Sequence, residues 1–181
     1  MRKTAIFFSL ILFAMPCMVP AQTADSFTPG MHARLYARPD GKGHDMKYLL
    51  FLPEGYGAPD KKWPLILYLH GASIRGRNLS KVERYGIPWE AKNRKNFPFI
   101  AIAPLCPSGI RWVDMDDGCI MGLVDSLLDS LSVDTDRVYV TGVSMGGHGA
   151  WYLASRYPER FAAVAPLCGR VDTKWAEKLV S

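Results

Sequence analysis

Five residues near the C-terminal end, Gly142-Val143-Ser144-Met145-Gly146, have the types and spacing of a nucleophile turn. An apolar run precedes them and a helix-like run follows, the context in which a serine performs acyl transfer. The chemistry explains the neighbours. A tight strand-to-helix turn brings two backbones together, so Gly142 and Gly146 must lack side chains, and Ser144 is left exposed where the strand ends. A serine hydroxyl attacks a carbonyl only when a base takes its proton. The oxygen that gains charge needs two N–H donors, each typically worth about 2.7–4 kcal/mol of barrier. One donor is the backbone of Met145, at the start of the helix. The other comes from His70-Gly71-Ala72-Ser73, where the N–H of Ala72, or of Ser73, follows another buried run.

The elements that must position these groups are legible as periodicity. The stretches 64–70, 97–104, 137–142 and 161–167 are apolar almost throughout and of strand length, which suits a parallel sheet covered on both faces. Ile120, Met121, Leu123, Val124, Leu127, Leu128 and Leu131 recur at helical spacing, and 147–157 predicts a second helix stopped by Pro158. Upstream, 32–38 and 46–53 read as two strands joined by the turn Pro39-Asp40-Gly41, an antiparallel hairpin. A long polar loop over 71–96 holds a helix near 78–85. Strands alternating with helices give an α/β fold, a mostly parallel sheet with helices on both faces.

At these residues the chain resembles the α/β-hydrolase superfamily, and more narrowly the secreted carboxylesterases and predicted peptidases related to feruloyl esterases and polyhydroxybutyrate depolymerases. The stretches that carry the resemblance are "FLPEGYGAPDKKWPLILYLHGAS", "APLCP" followed by Trp112, and "VDTDRVYVTGVSMGGHGAWYLASRYPERFAAVAPLCG". It implies a nucleophile at Ser144, oxyanion donors on the backbones of Ala72 and Met145, and a small-molecule or polymer-linked ester as substrate, with no cofactor. The same site cleaves amides, so a serine peptidase is the alternative activity. A binding module or inactive fragment that keeps the turn without its base is the non-enzymatic alternative. In the family the triad acid and histidine follow strands beyond Leu167. The chain stops at Ser181, so the resemblance implies the N-terminal part of a longer enzyme, its last strands missing.

The four histidines fit that expectation. His32 and His44 belong to the opening hairpin and read as surface residues. His70 is in the family a structural part of the oxyanion loop. His148, four residues after Ser144, sits in the helix that begins at the turn, where its ring does not easily approach the hydroxyl. A pocket-lining or helix-face role suits it, and His70 and Trp112 are the other pocket candidates. Asp172 reads as a helix N-cap rather than the acid. Asp114, Asp116 and Asp117 share a loop with Trp112 and read as solvated or pocket-rimming. The family's strand order would set the ends of the runs closing at Pro104 and Leu167 about 14 Å apart at roughly 4.8 Å per strand. That disfavours Cys106–Cys168, because a disulfide needs Cα atoms within about 7 Å. Cys106–Cys119 is the pairing expected if one forms, and three thiols are the alternative.

The first residues read as a signal peptide, 1–21, ahead of one domain over 22–181. Arg2-Lys3 precedes an apolar stretch broken by Pro16, and Val19-Pro20-Ala21 offers small residues for cleavage. The apolar run is short for a membrane span, so a secreted or periplasmic protein with no stable membrane anchor is expected. Removing Arg2 and Lys3 lowers the formal charge from +5 to +3, without a basic cluster, and nucleic acid is not an expected partner. Cys106, Cys119 and Cys168 lack zinc-ligand spacing, and no metal is implied.

Overall fold

The computed structural model describes residues 27–41 and 45–179. The expected signal peptide and His44 lie outside the described residues. Six strands form one sheet: β1 (Gly30–Tyr36), β2 (Met46–Leu52), β3 (Trp63–Leu69), β4 (Ile100–Pro104), β5 (Val133–Val143) and β6 (Ala163–Leu167). Their order is β1-β2-β4-β3-β5-β6. β1 and β2 make the expected antiparallel hairpin, with Gly30 opposite Leu52 and Tyr36 opposite Met46. β2 also runs antiparallel to β4, and the remaining pairs are parallel.

Alternation along the strands decides which helix covers which face, because successive side chains point to opposite sides. Leu65, Leu67 and Leu69 of β3, Ile100 and Ile102 of β4, and Val138 and Val140 of β5 face one way. They pack on α2 (Asp117–Ser130) through Ile120, Leu123, Val124 and Leu127, and on α3 (Met145–Arg156) through Ala150, Leu153 and Ala154. Tyr68 and Ala103, on the intervening positions, face Ile74 and Val82 on the other side. Ala101 packs there too, against Ala91 of α1 (Gly86–Asn93) and against Phe97. Both faces are therefore apolar, which is why these strands read as nearly continuous hydrophobic runs.

The connection over 71–96 is more ordered than a polar loop. It holds short 3-10 turns at Ala72–Ile74 and Leu79–Arg84, and then α1. The stretch expected as a helix near 78–85 is the second 3-10 turn, capped by the Asn78 side chain, which accepts from Ser80 N at 3.1 Å. α1 escaped the periodicity because only Pro88 and Ala91 of its eight residues are buried. Asp117 is the first residue of α2 rather than part of a loop, and Asp116 caps it, accepting from Gly118 N at 3.0 Å. Asp116 also pairs with Arg38, which bonds Asp40 at 2.8 Å, so the hairpin turn is tied to the start of α2. β6 has β5 as its one neighbour in the sheet, and Ala163, Ala165 and Leu167 are exposed along it. Among the described residues no helix is long and apolar enough to cross a membrane.

Candidate active site

β5 ends at Val143 and α3 begins at Met145, so Ser144 is the whole of the turn between them. Its backbone is held at φ +55°, ψ −114°, a conformation that a non-glycine residue adopts only when its surroundings force it. Ser144 N donates to Leu167 O at 2.8 Å, tying the turn to the end of β6, and His148 N donates to Ser144 O at 3.0 Å as the first helical bond. A side chain at Gly142 would collide with Gly146 O and come within 2.6 Å of Leu69 O, and one at Gly146 would collide with Leu69 O itself. β3, β5 and α3 thus approach more closely than any Cβ allows, and the exposed Ser144 is pushed out at the C-terminal edge of the sheet, where ligands bind in such folds.

The loop after β3 reaches the same point. A Cβ on Gly71 would stand 3.4 Å from Val143 O and 3.9 Å from Ser144 Cβ, so the loop passes directly beside the serine. Ala72 is the first residue of its 3-10 turn and Met145 the first of α3. First-turn N–H groups have no intrahelical acceptor, and both helix starts present N–H donors next to Ser144.

His70 organises this loop from below. It is fully buried, and its Nδ1 bonds Gly71 O at 2.8 Å. Its Nε2 meets the Cys106 N–H at 3.0 Å. A backbone N–H can only donate, so Nε2 accepts and Nδ1 carries the proton. The ring is neutral and fully used. Burial, the largest influence, together with the nearby Arg75 charge, holds the imidazole below its ordinary pKa, against the upward pull of the Gly71 bond. Trp112, 1 % exposed, donates its indole N–H to His70 O at 2.8 Å. Neither His70 nor Trp112 lines an open pocket, as the residue types had suggested. Both are wedged under the loop after β3, where a polar tip on a buried ring finds a backbone partner.

His148 faces elsewhere too. Its ring stacks on Trp175 with centroids 5.3 Å apart and planes at 22°, and Trp175 meets Tyr152 edge-on. Partial burial and then the charges of Arg111 and Arg170 push His148 below its usual pKa, with Asp114 opposing. His32 bonds Thr28 O at 2.7 Å on β1, four strands away from β5. Asp172 accepts from Lys174 N at 3.1 Å and caps the short α4 (Thr173–Ala176), as its spacing implied. Asp114 pairs with Arg111, whose bonds hold it below the usual carboxylate range. Asp114 and Asp116 do rim a cavity of about 180 Å³, lined also by Arg38, Met46, Ile110 and Cys119, but Ser144 is not part of it.

Two features carry no sequence signal. Arg75 donates through Nε to Ala72 O at 3.1 Å and through Nη1 to Ile110 O at 3.0 Å. Gly149, the residue after His148, leaves room for Trp112, whose Cβ would lie 2.6 Å from a Cβ there. The Cys106–Cys119 bridge is not formed. Both thiols are buried and unbridged, Cys106 Sγ meets Ile110 O at 3.6 Å, and Cys168 is exposed.

Comparison with known proteins agrees with this geometry. The profile of the family described as "Putative esterase" matches residues 119–178, which include the serine turn. S-formylglutathione hydrolase of Bos taurus is 43% identical over 127 residues, covering 68% of this chain and 43% of its own length. Poly(3-hydroxyalkanoate) depolymerase C of Paucimonas lemoignei is 25% identical over 173 residues, covering 88% of this chain and 39% of its own. The crystal structure of a thermostable esterase superposes with a TM-score of 0.73 at 32% identity, covering 82% of this chain and 43% of that one. The chain spans less than half the length of these relatives. The relatives are carboxylic ester hydrolases, and the shared fold is that of the α/β hydrolases.

Proposed function

We propose that this chain, of α/β-hydrolase fold and similar in sequence to esterases, carries the nucleophile and the oxyanion donors of a serine esterase acting on carboxylic esters. The observation that supports it most is the meeting of three backbones at Ser144: a strained, exposed serine, the helix start at Met145, and the turn start at Ala72. In the proposed reaction Ser144 Oγ bonds the ester carbonyl carbon while its proton passes to a base. The carbonyl oxygen gains charge between the Ala72 and Met145 N–H groups. The bond to the alcohol then breaks, the alcohol leaves with that proton, and water releases the acid from the acyl-serine by the same steps in reverse.

The three described histidines are engaged with Thr28, with Gly71 and Cys106, and with Trp175. We therefore place the catalytic base, and the acid that orients it, outside the described residues. Esters rather than amides are favoured because the relatives are named for ester hydrolysis. Their names span a small thioester and a polymer, so a small-molecule or polymer-linked ester is the proposed substrate. Export through the signal peptide over 1–21 belongs to the same proposal.

Imidazole in solution can stand in for the base. With p-nitrophenyl acetate and imidazole, intact-protein mass spectrometry is expected to show one acetyl group, and peptide mapping to place it on Ser144. Ser144→Ala should remove it. Equal acetylation of the variant, or acetyl groups on lysines alone, overturns the reading.

A further inference from the structure

We propose that Arg75 is a positioning residue for the turn that supplies the oxyanion donor, resting on the reading of Ala72 and Ser73 given above. The Ala72 N–H lies in the peptide plane that it shares with the Gly71 carbonyl, and the next plane, which carries Ala72 O and the Ser73 N–H, joins it at the Ala72 Cα. The plane on the Gly71 side is pinned through its carbonyl, which takes the His70 Nδ1–H at 2.8 Å and Ile74 N at 3.2 Å. Among the described residues Arg75 is what holds the plane on the Ser73 side, and with it the Ser73 N–H and the turn that presents both N–H groups. Ala72 O receives Arg75 Nε at 3.1 Å and Arg75 N at 3.3 Å.

A three-residue 3-10 turn has little intrinsic persistence, so external bonds must hold it. The guanidinium supplies that hold because its other arm reaches across to Ile110 O at 3.0 Å, in the loop after β4. Two further bonds run between the same loops, from Gly76 N to Cys106 O and from Cys106 N to His70 Nε2, both at 3.0 Å. The loop after β4 is buried at Cys106 and Trp112, so it is a firm anchor. Arg75 thus couples the donor loop to a loop whose Cys106 and Trp112 are buried in the core.

Geometry, rather than charge, is the essential property. A planar fork bonds two carbonyls in fixed relation, and a lysine ammonium of equal charge does not. Misplacing a catalytic group by about 1 Å typically costs on the order of 10²-fold in rate. Arg75→Ala and Arg75→Lys are therefore both expected to slow Ser144 acylation by an oxygen ester about 10–100-fold. The matching thionoester, whose sulfur gains little from N–H donors, should change by less than about threefold under the same principle.

The experiment follows Ser144 acylation by mass in the full chain with imidazole, for both esters, alongside circular dichroism and thermal melting. Loss of the oxygen-ester preference in a folded variant supports the proposal. A parallel fall in both rates, or an Arg75→Lys protein as fast as the parent, overturns it. Should Arg75→Ala fail to fold, Arg75→Lys and Arg75→Gln decide by the same ratio. A parent chain that takes up no acyl group on Ser144 refutes the esterase reading and this inference together. An acylated parent with unaffected variants refutes only the role of Arg75.

Discussion

The indole of Trp112 donates to the carbonyl oxygen of His70 at 2.8 Å, while the two rings meet edge to face with centroids 5.0 Å apart. One residue follows directly on β3, and the other comes from the loop after β4. With the imidazole spent on Gly71 O and the Cys106 N–H, every polar group of this buried pair of rings has a partner. Such networks are rigid when complete and costly when broken.

Trp112→Phe tests that cost. It keeps most of the packing and strands the His70 carbonyl in a dry site. The expected loss is about 1–3 kcal/mol of unfolding free energy, the usual penalty for an unpaired buried acceptor. Urea titration measures it, and a loss within about 0.5 kcal/mol, the range of a neutral surface change, would show that the bond does not matter.

His70 predicts a pH dependence whose sign follows from its depressed pKa. Above the ordinary value of 6.5, folded and unfolded chains both hold it neutral and stability is complete. As pH falls below that value, the unfolded chain takes up a proton that the folded chain refuses. Stability should then drop by up to about 1.4 kcal/mol per pH unit until the folded pKa is reached. His148, shifted the same way, adds to the slope, so the comparison is with His70→Gln, in which the slope between pH 7.5 and 5.5 should be shallower. Equal slopes would count against a buried neutral imidazole.

Gly146→Ala should prevent native folding or cost at least about 3 kcal/mol. Overpacking a core commonly costs about 1–3 kcal/mol, and here the clash is with backbone that cannot rotate away. Yield and circular dichroism check it. A folded variant of parental stability would mean the β3–α3 approach is looser than described.

The thiols should react in order of exposure. Cys168 is exposed, whereas burial pushes the Cys106 thiol up to about 11, with the Arg75 charge opposing and Asp114 adding to it. A thiol reagent at pH 8 is expected to modify Cys168 in the native protein and Cys106 only after unfolding. Recovery of a linked Cys106–Cys119 peptide under non-reducing conditions would contradict the buried thiols.

The sheet, the two long helices and the serine turn were legible because each rests on a local pattern: apolar runs, helical spacing, glycines flanking a serine. Strand ends differ by a few residues. β5 starts at Val133 although Asp134, Thr135 and Asp136 look like a turn, because Val133 pairs with Trp63 ahead of a register shift and the pairing resumes at Val138 opposite Leu65. α1 was missed because it packs through Pro88 and Ala91 rather than through a stripe. What sequence did not disclose is the fastening of the site. Arg75, Cys106 and Trp112 act across 35–42 residues through backbone carbonyls and amides, and such partners leave no mark in residue type. The Cys106–Cys119 expectation failed for a related reason. Strand spacing limits which cysteines can meet, but it does not say which thiols the core has packed as small apolar groups.

The lacing of the loop after β3 to the loop after β4 has a consequence for biosynthesis. The donor loop is complete once Arg75 has been added, yet its first long-range support, the Cys106 amide, lies 36 residues after His70, and the Trp112 indole lies 42 residues after it. At about 5–20 residues per second, the nascent loop waits roughly 2–6 s for that first anchor. Ser144 arrives later still. The loop after β3 is thus translated well before the partners that hold it, and a ribosome that stalls between residues 76 and 106 leaves the buried His70 and the leucines of β3 without them.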